Sequence, residues 1–223
     1  VSFDNMGYSG ELYFKAASTL SSSTDTDYYI YYGKGAATEP SASATYGSQN
    51  VWESNYKLVA HLESNSNDST SNANNGSDTS VSYATAGKLG YGVTSNATTD
   101  KVSFADATSL DITANLTVSA WIKIANSNQR WVISKHNHTG NQRSWGINTD
   151  QNVTNPGGWD GSVDNTGANS TRKIYRGGPS TMDDTWHLVH MTFSNNSLTL
   201  YEDGVDQTAN FSKIVDNTVS SIY

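Results

Sequence analysis

Cysteine is absent from the 223-residue chain, so no disulfide staples the fold and thiol chemistry is excluded. An extracellular setting stays open, because a chain of this length can bury a core that needs no cross-links. Basic side chains are scarce: 13 Lys and Arg stand against 21 Asp and Glu, for a net charge of -8 and a pI near 4.9. No basic cluster exists to neutralise phosphates, which excludes nucleic acid as a partner and disfavours anionic membranes. No apolar run approaches the ~20 residues that span a bilayer, so membrane insertion is not expected. Val1 opens neither a basic stretch nor an apolar leader, and the chain reads as a processed or excised piece. Only 35% of residues are hydrophobic, with a mean hydropathy of -0.58. Ser, Thr, Asn and Gly fill the difference, residues that favour turns over helix interiors. Aromatics at 11% are too many for a disordered polar chain. The expected object is a folded β domain with a polar, loop-rich surface.

Two stretches alternate strictly between apolar and polar residues. The first is Leu116-Thr-Val-Ser-Ala-Trp-Ile-Lys-Ile124, and the second is Trp186-His-Leu-Val-His-Met-Thr-Phe193. The second continues through Ser194-Asn-Asn-Ser197 into Leu198-Thr-Leu-Tyr-Glu-Asp-Gly-Val205. This is the pattern of strands with one buried face, and Asp203-Gly204 is the signature of a hairpin turn. Shorter strands are expected at 11–15, 27–33, 50–62, 92–94, 101–104, 130–135, 144–148 and 173–176. No long segment sustains helical spacing. The chain divides on this reading into a β segment at 1–39, a small-residue linker at 40–49 and a main domain at 50–223.

The motifs Ser109-Leu-Asp-Ile-x-x-Asn-Leu-Thr-Val-Ser-Ala-Trp-Ile and Thr185-Trp-His-Leu-Val, the latter followed by Leu200-Tyr-x-Asp-Gly, carry a resemblance. So does the loop Asp68-Ser-Thr-Ser-Asn-Ala-Asn-Asn-Gly76. Over roughly residues 50–210 the chain resembles laminin-G-like domains of the concanavalin A-like jelly-roll superfamily. The resemblance implies an all-β, antiparallel two-sheet jelly-roll sandwich, with Trp121 and Trp186 packed in its core. The ending Tyr31-Tyr-Gly-Lys34 more loosely resembles the C-terminal end of a DUF2341-type β module. Such domains normally run past the Tyr-x-Asp-Gly hairpin into a closing strand that this sequence lacks. Either the chain is part of a longer polypeptide or a neighbour supplies that strand.

Catalytic chemistry is poorly represented. The superfamily's glucanases carry Glu-x-Asp-x-x-Glu, whereas this chain has Glu only at 11, 39, 53, 63 and 202. Glu202 and Asp203 are adjacent and would point to opposite faces of a strand. No Gly-x-Ser-x-Gly elbow, phosphate loop or dinucleotide fingerprint occurs. His136 and His138 share a face if extended, but nothing nearby completes a zinc site. His187 resembles a position that the family uses structurally. The resemblance makes calcium the cofactor to consider, with Asp68, Asn72, Asn74 and Asn75 supplying oxygens from one short loop. The same composition builds a loop of Asx turns. For sugar binding, Trp159 lies among glycines with Asp160, Tyr175 and Arg176 as polar helpers. Its alternative role is to cap the sandwich edge, and Trp131 and Trp145 read either way. The expected function is a non-catalytic adhesion module for a glycan or surface protein, at an extracellular, cell or virion surface. The alternative is a filament or envelope-layer subunit that self-assembles by strand exchange.

Overall fold

The computed structural model describes residues 2–3, 10–11, 14–16, 19–30, 34–125, 131–137, 140–149, 158–168, 171–178 and 183–223. Among these, regular structure is β-strand with three short 3-10 turns and no α-helix. The chain forms two compact units, 1–110 and 111–223.

In the first unit, β1 (Ser2–Phe3) pairs with β2 (Gly10–Glu11), and β3 (Gly76–Thr79) pairs with β6 (Lys101–Phe104). Between the latter two, β4 (Ser82–Ala86) pairs with β5 (Tyr91–Thr94). Two expected strands are corrected here. Residues 27–30 are irregular, with Tyr29 76% exposed, and 31–33 lie outside the described residues, as do 12–13 of the expected strand at 11–15. Residues 50–62 form a 3-10 turn at Ser48–Val51 and then irregular chain, with one bridge between Ala60 and Asp68. The reason is competition for the backbone. The amide of Val59 donates to Asp68 Oδ1, and the carbonyls of Tyr56 and Lys57 accept from the Asn72 and Asn74 side chains. Those groups are spent on side chains and not on a ladder.

The second unit is a two-sheet antiparallel sandwich of jelly-roll type. Its four-stranded sheet has the order β14 (Val205–Asp206), β13 (Ser197–Glu202), β12 (Trp186–Ser194), β7 (Leu116–Lys123). The five-stranded sheet has the order β15 (Ser212–Asp216), β11 (Arg172–Arg176), β10 (Trp159–Asp164), β9 (Gln142–Thr149), β8 (Trp131–Asn137). The core lies between them. Leu116, Val118, Ile122, Val189, Met191, Phe193, Leu198 and Leu200 meet Ile147, Trp159, Val163 and Tyr175 there. Asp203 and Gly204 both take positive φ, 51° and 82°, as a two-residue hairpin with the right strand twist requires.

Alternation along β7 decides the fate of Trp121. Leu116, Val118 and Ile122 point inward, so Trp121 falls on the opposite face and is 37% exposed. The expectation that it packs in the core is corrected; Trp186 is half-buried.

The central strand β10 was not expected, because its sequence Trp159-Asp-Gly-Ser-Val-Asp164 looks like a glycine-rich turn. Its alternation is intact, with Trp159, Gly161 and Val163 inward. Glycine is required at 161: a Cβ there would lie 2.5 Å from Leu200 Cδ2 and 3.3 Å from Met191 Sδ. Gly161→Ala is therefore expected to destabilise the domain by about 1–3 kcal/mol through overpacking, measurable as a lower midpoint in urea. β15 was also missed. It follows the hairpin and pairs with β11 at the sheet edge, and Val219 and Ile222 beyond it are buried in the core.

Candidate ligand-binding face

The outward side of the five-stranded sheet gathers polar groups in rows. Residues opposite each other in an antiparallel ladder share a face. Trp131 stands opposite Asn148, Asn148 opposite Asp160, and Asp160 is ion-paired to Arg176 at 3.3 Å. Trp131 is 45% exposed, and its ring lies across Gly146, where an added Cβ would meet it at 2.6 Å. His136 packs against the same ring, 4.8 Å between centroids. Beside this open aromatic surface Asn148 is only 8% exposed, and its Oδ1 is buried with no hydrogen-bond partner. A buried carbonyl oxygen left without a donor is costly, and a ligand hydroxyl is the group that would satisfy it. Asp160 is held in place by Arg176 and by the amide of Gly177, which donates to its Oδ1 at 3.2 Å.

Two rows further along, Asp164 stands opposite Arg172. Its Oδ1 accepts from the amides of Thr166 and Gly167, both at 2.9 Å, and from the Thr166 hydroxyl. His136, Arg143, Ser144, Ser162 and Arg172 join Asp164 around a shallow depression.

The sequence-based sugar site is taken apart by strand parity. Asp160 and Arg176 do come together on the outer face. Trp159 and Tyr175 instead turn into the sandwich, where Trp159 is fully buried and Tyr175 is 3% exposed. Trp159 Nε1 donates to Glu202 Oε2 at 3.0 Å, and its ring meets Phe211 edge-on at 4.9 Å. Neither face of Trp159 is open for stacking, so it is corrected to a core residue. Tyr175 donates from its hydroxyl to Asp216, and burial raises its pKa first of all. Sequence reasoning left Trp131 open between stacking and packing and passed over Asn148. The available signal was Gly146, the small residue on which an aromatic ring can lie. Residues 155–157, which flank Trp159 in sequence, lie outside the described residues, as do Arg130 and His138.

The expected calcium ligands do converge, but not as a cation site. Asp68 Oδ1 accepts from the amides of Val59 and Thr70, and Oδ2 from the Thr70 hydroxyl and the Asn74 amide, all at 2.9–3.0 Å. Asn75 Oδ1 accepts from the Asp68 amide, and the Asn72 and Asn74 amide groups donate to backbone carbonyls. Hard cations need oxygens turned toward them. Here the chain's own N–H and O–H groups occupy those positions, so this donor set does not fit calcium. It is a closed Asx-turn knot.

A second polar cluster sits at one end of the sandwich. His187 Nδ1 lies 2.9 Å from Asp203 Oδ2 and 3.4 Å from Glu202 Oε1, while Nε2 lies 3.2 Å from Asp183 Oδ1. Glu202 and Asp203 reach one histidine, contrary to the opposite-face expectation, because Asp203 has left the strand for the left-handed turn. Burial on its own would lower the His187 pKa, but hydrogen bonds and charge from Asp203, Asp183 and Glu202 leave it above its ordinary value. Burial raises that of Glu202. A raised histidine value stabilises the fold fully below its unfolded value of about 6.5, and that stabilisation is lost as pH rises through the folded value. The raised Glu202 value acts with the same sign. The melting temperature is thus expected to fall as pH rises above about 6.5, and to fall less in His187→Gln. Parallel calorimetric profiles for the two proteins would contradict this.

Comparison with known families decides the assignment. Residues 96–221, more than half of the chain, match the family model for the concanavalin A-like lectin/glucanases superfamily. The chain belongs to that superfamily. No curated protein and no solved structure matches the chain. Within the superfamily domain the match covers both long alternating strands, the five-stranded sheet and Trp131. No helix among the described residues is long and apolar enough to cross a membrane.

Proposed function

We propose that this domain is a non-catalytic glycan-binding module whose ligand lies on the outer face of the five-stranded sheet. The observation that carries the reading is the exposed Trp131 ring beside the unsatisfied Oδ1 of buried Asn148. A sugar presents an apolar ring face and hydroxyl donors together, and this pair answers both needs. The outer-face carboxylates speak for recognition over hydrolysis. Asp160 and Asp164 are four residues apart on one strand, roughly 13 Å, beyond the ~5–9.5 Å of glycosidase pairs. Each is already engaged by backbone amides.

A glycan array with Trp131→Ala alongside the wild type tests the proposal. Binding by the wild type that disappears in the variant supports it. Absence of wild-type binding, or equal binding by both proteins, would contradict it; a protein ligand would then be the partner to seek.

A further inference from the structure

We infer that His187 Nδ1, Glu202 Oε1 and Asp203 Oδ2 form a binding site for a divalent transition metal of the zinc type. The site shares no residue with the glycan-binding face and does not depend on it. Its three ligand atoms lie within 4.8 Å of one another. Nδ1 stands 2.9 Å from Asp203 Oδ2 and 3.4 Å from Glu202 Oε1. Ligand atoms around a tetrahedral zinc, with bonds of about 2.0–2.1 Å, are roughly 3.4 Å apart. Glu202 already has that separation from the ring, and Asp203, exposed at the hairpin turn, needs a small shift.

Hydrogen-bond direction shows why a cation belongs there. The Thr185 hydroxyl donates to Asp183 Oδ1 at 2.8 Å, so toward His187 Nε2, 2.9 Å away, it can only accept. Asp183 Oδ1, 3.2 Å from Nε2, is an acceptor too. Nε2 therefore carries a proton whatever the charge on the ring. In the neutral ring the lone pair then falls on Nδ1, facing two carboxylate oxygens. A cation relieves that arrangement: a proton in the metal-free protein, or a metal in its place. The contrast with Asp68 is chemical. The donors there are backbone amides and a hydroxyl, which keep their protons, whereas an imidazole nitrogen gives its proton up near neutral pH.

Each ligand is also held from behind. Nε2–H points at Asp183, the arrangement that fixes the tautomer of a metal-ligating histidine. Trp159 Nε1 donates to the other Glu202 oxygen at 3.0 Å, and the Leu188 amide donates to the other Asp203 oxygen at 2.8 Å. Glu202 is only 8% exposed, and among the described residues its Oε1 accepts no hydrogen bond. A desolvated carboxylate oxygen is thus aimed at the ring nitrogen. One nitrogen with two carboxylate oxygens suits zinc and not calcium, which asks for six to eight oxygens.

The test titrates zinc chloride into the chelator-treated full chain by calorimetry, with calcium chloride as the control. Saturable zinc binding is expected, with a rise in melting temperature because the metal binds the folded state. His187→Gln and Glu202→Gln should each weaken it by at least about tenfold, since losing a ligand costs no less than losing a second-shell partner. Circular dichroism verifies that both variants fold. In the wild type alone, the Trp159 indole N–H, bonded to Glu202, should shift as zinc is added while the Trp131 indole stays in place. Absence of saturable binding, equal binding by the wild type and either variant, an unmoved Trp159 indole, or calcium bound as tightly as zinc would overturn the inference.

Discussion

Trp131→Ala is expected to weaken glycan binding by a factor of about 30, the ~2 kcal/mol typical of an aromatic anchor, and to cost less than about 1 kcal/mol in folding stability. The separation of the two effects is the diagnostic point. Trp131 is 45% exposed on the outer face, and its ring lies over Gly146 outside the sandwich interior. Deleting it uncovers that glycine and removes the contact with His136. Trp131→Phe should keep part of the affinity, because a smaller ring still covers the glycine. Isothermal titration with an array-selected oligosaccharide and denaturation of the same samples give both numbers. Binding and stability falling together would show that Trp131 holds the fold.

Trp159→Ala is expected to do the reverse, destabilising the domain by about 3–5 kcal/mol through the cavity it leaves. Truncation also strips Glu202 Oε2 of its indole donor in a site where the carboxyl is only 8% exposed. That adds about 1–3 kcal/mol, so the total is a large part of the 5–15 kcal/mol that holds a typical domain. Trp159→Phe separates the two contributions, since it keeps most of the volume and removes the N–H. Urea denaturation measures all three proteins. A Trp159→Ala midpoint close to wild type would contradict full burial.

The contrast between these tryptophans shows what the sequence could disclose. Strand class was legible wherever apolar and polar residues alternated strongly, as in β7, β12 and β13. The Asp203-Gly204 turn was legible too, because positive φ at two positions restricts the residues that fit. β10 was not, since the inward position at 161 must be glycine to admit Leu200, and glycine carries no hydrophobic signal. Losing β10 reversed the reading of Trp159, which seemed to sit in an open loop and lies at the centre of a sheet. Trp121 failed in the other direction. Its own strand's alternation puts it on the outward face, against the core position that the family resemblance implies. At the loop 68–76, composition identified the right residues, but hydrogen-bond direction decided their role. Three of the four donors to Asp68 come from Thr70 and Asn74 inside the loop and the fourth from Val59, so the Asx-turn alternative that the composition also offered is the one realised. The outer-face site was least legible, because Trp131, Asn148, Asp160 and Arg176 come from four strands and meet only through register.

The most direct test of the ligand-binding face is an NMR titration that follows the six tryptophan indole N–H signals. On adding an array-selected oligosaccharide, the Trp131 indole and the Asn148 side-chain amide should shift progressively. The Trp159 indole, bonded to Glu202 inside the sandwich, and the Trp121 indole on the other sheet should stay in place. Saturable shifts at Trp121 with none at Trp131 would put the ligand on the wrong sheet and contradict the account.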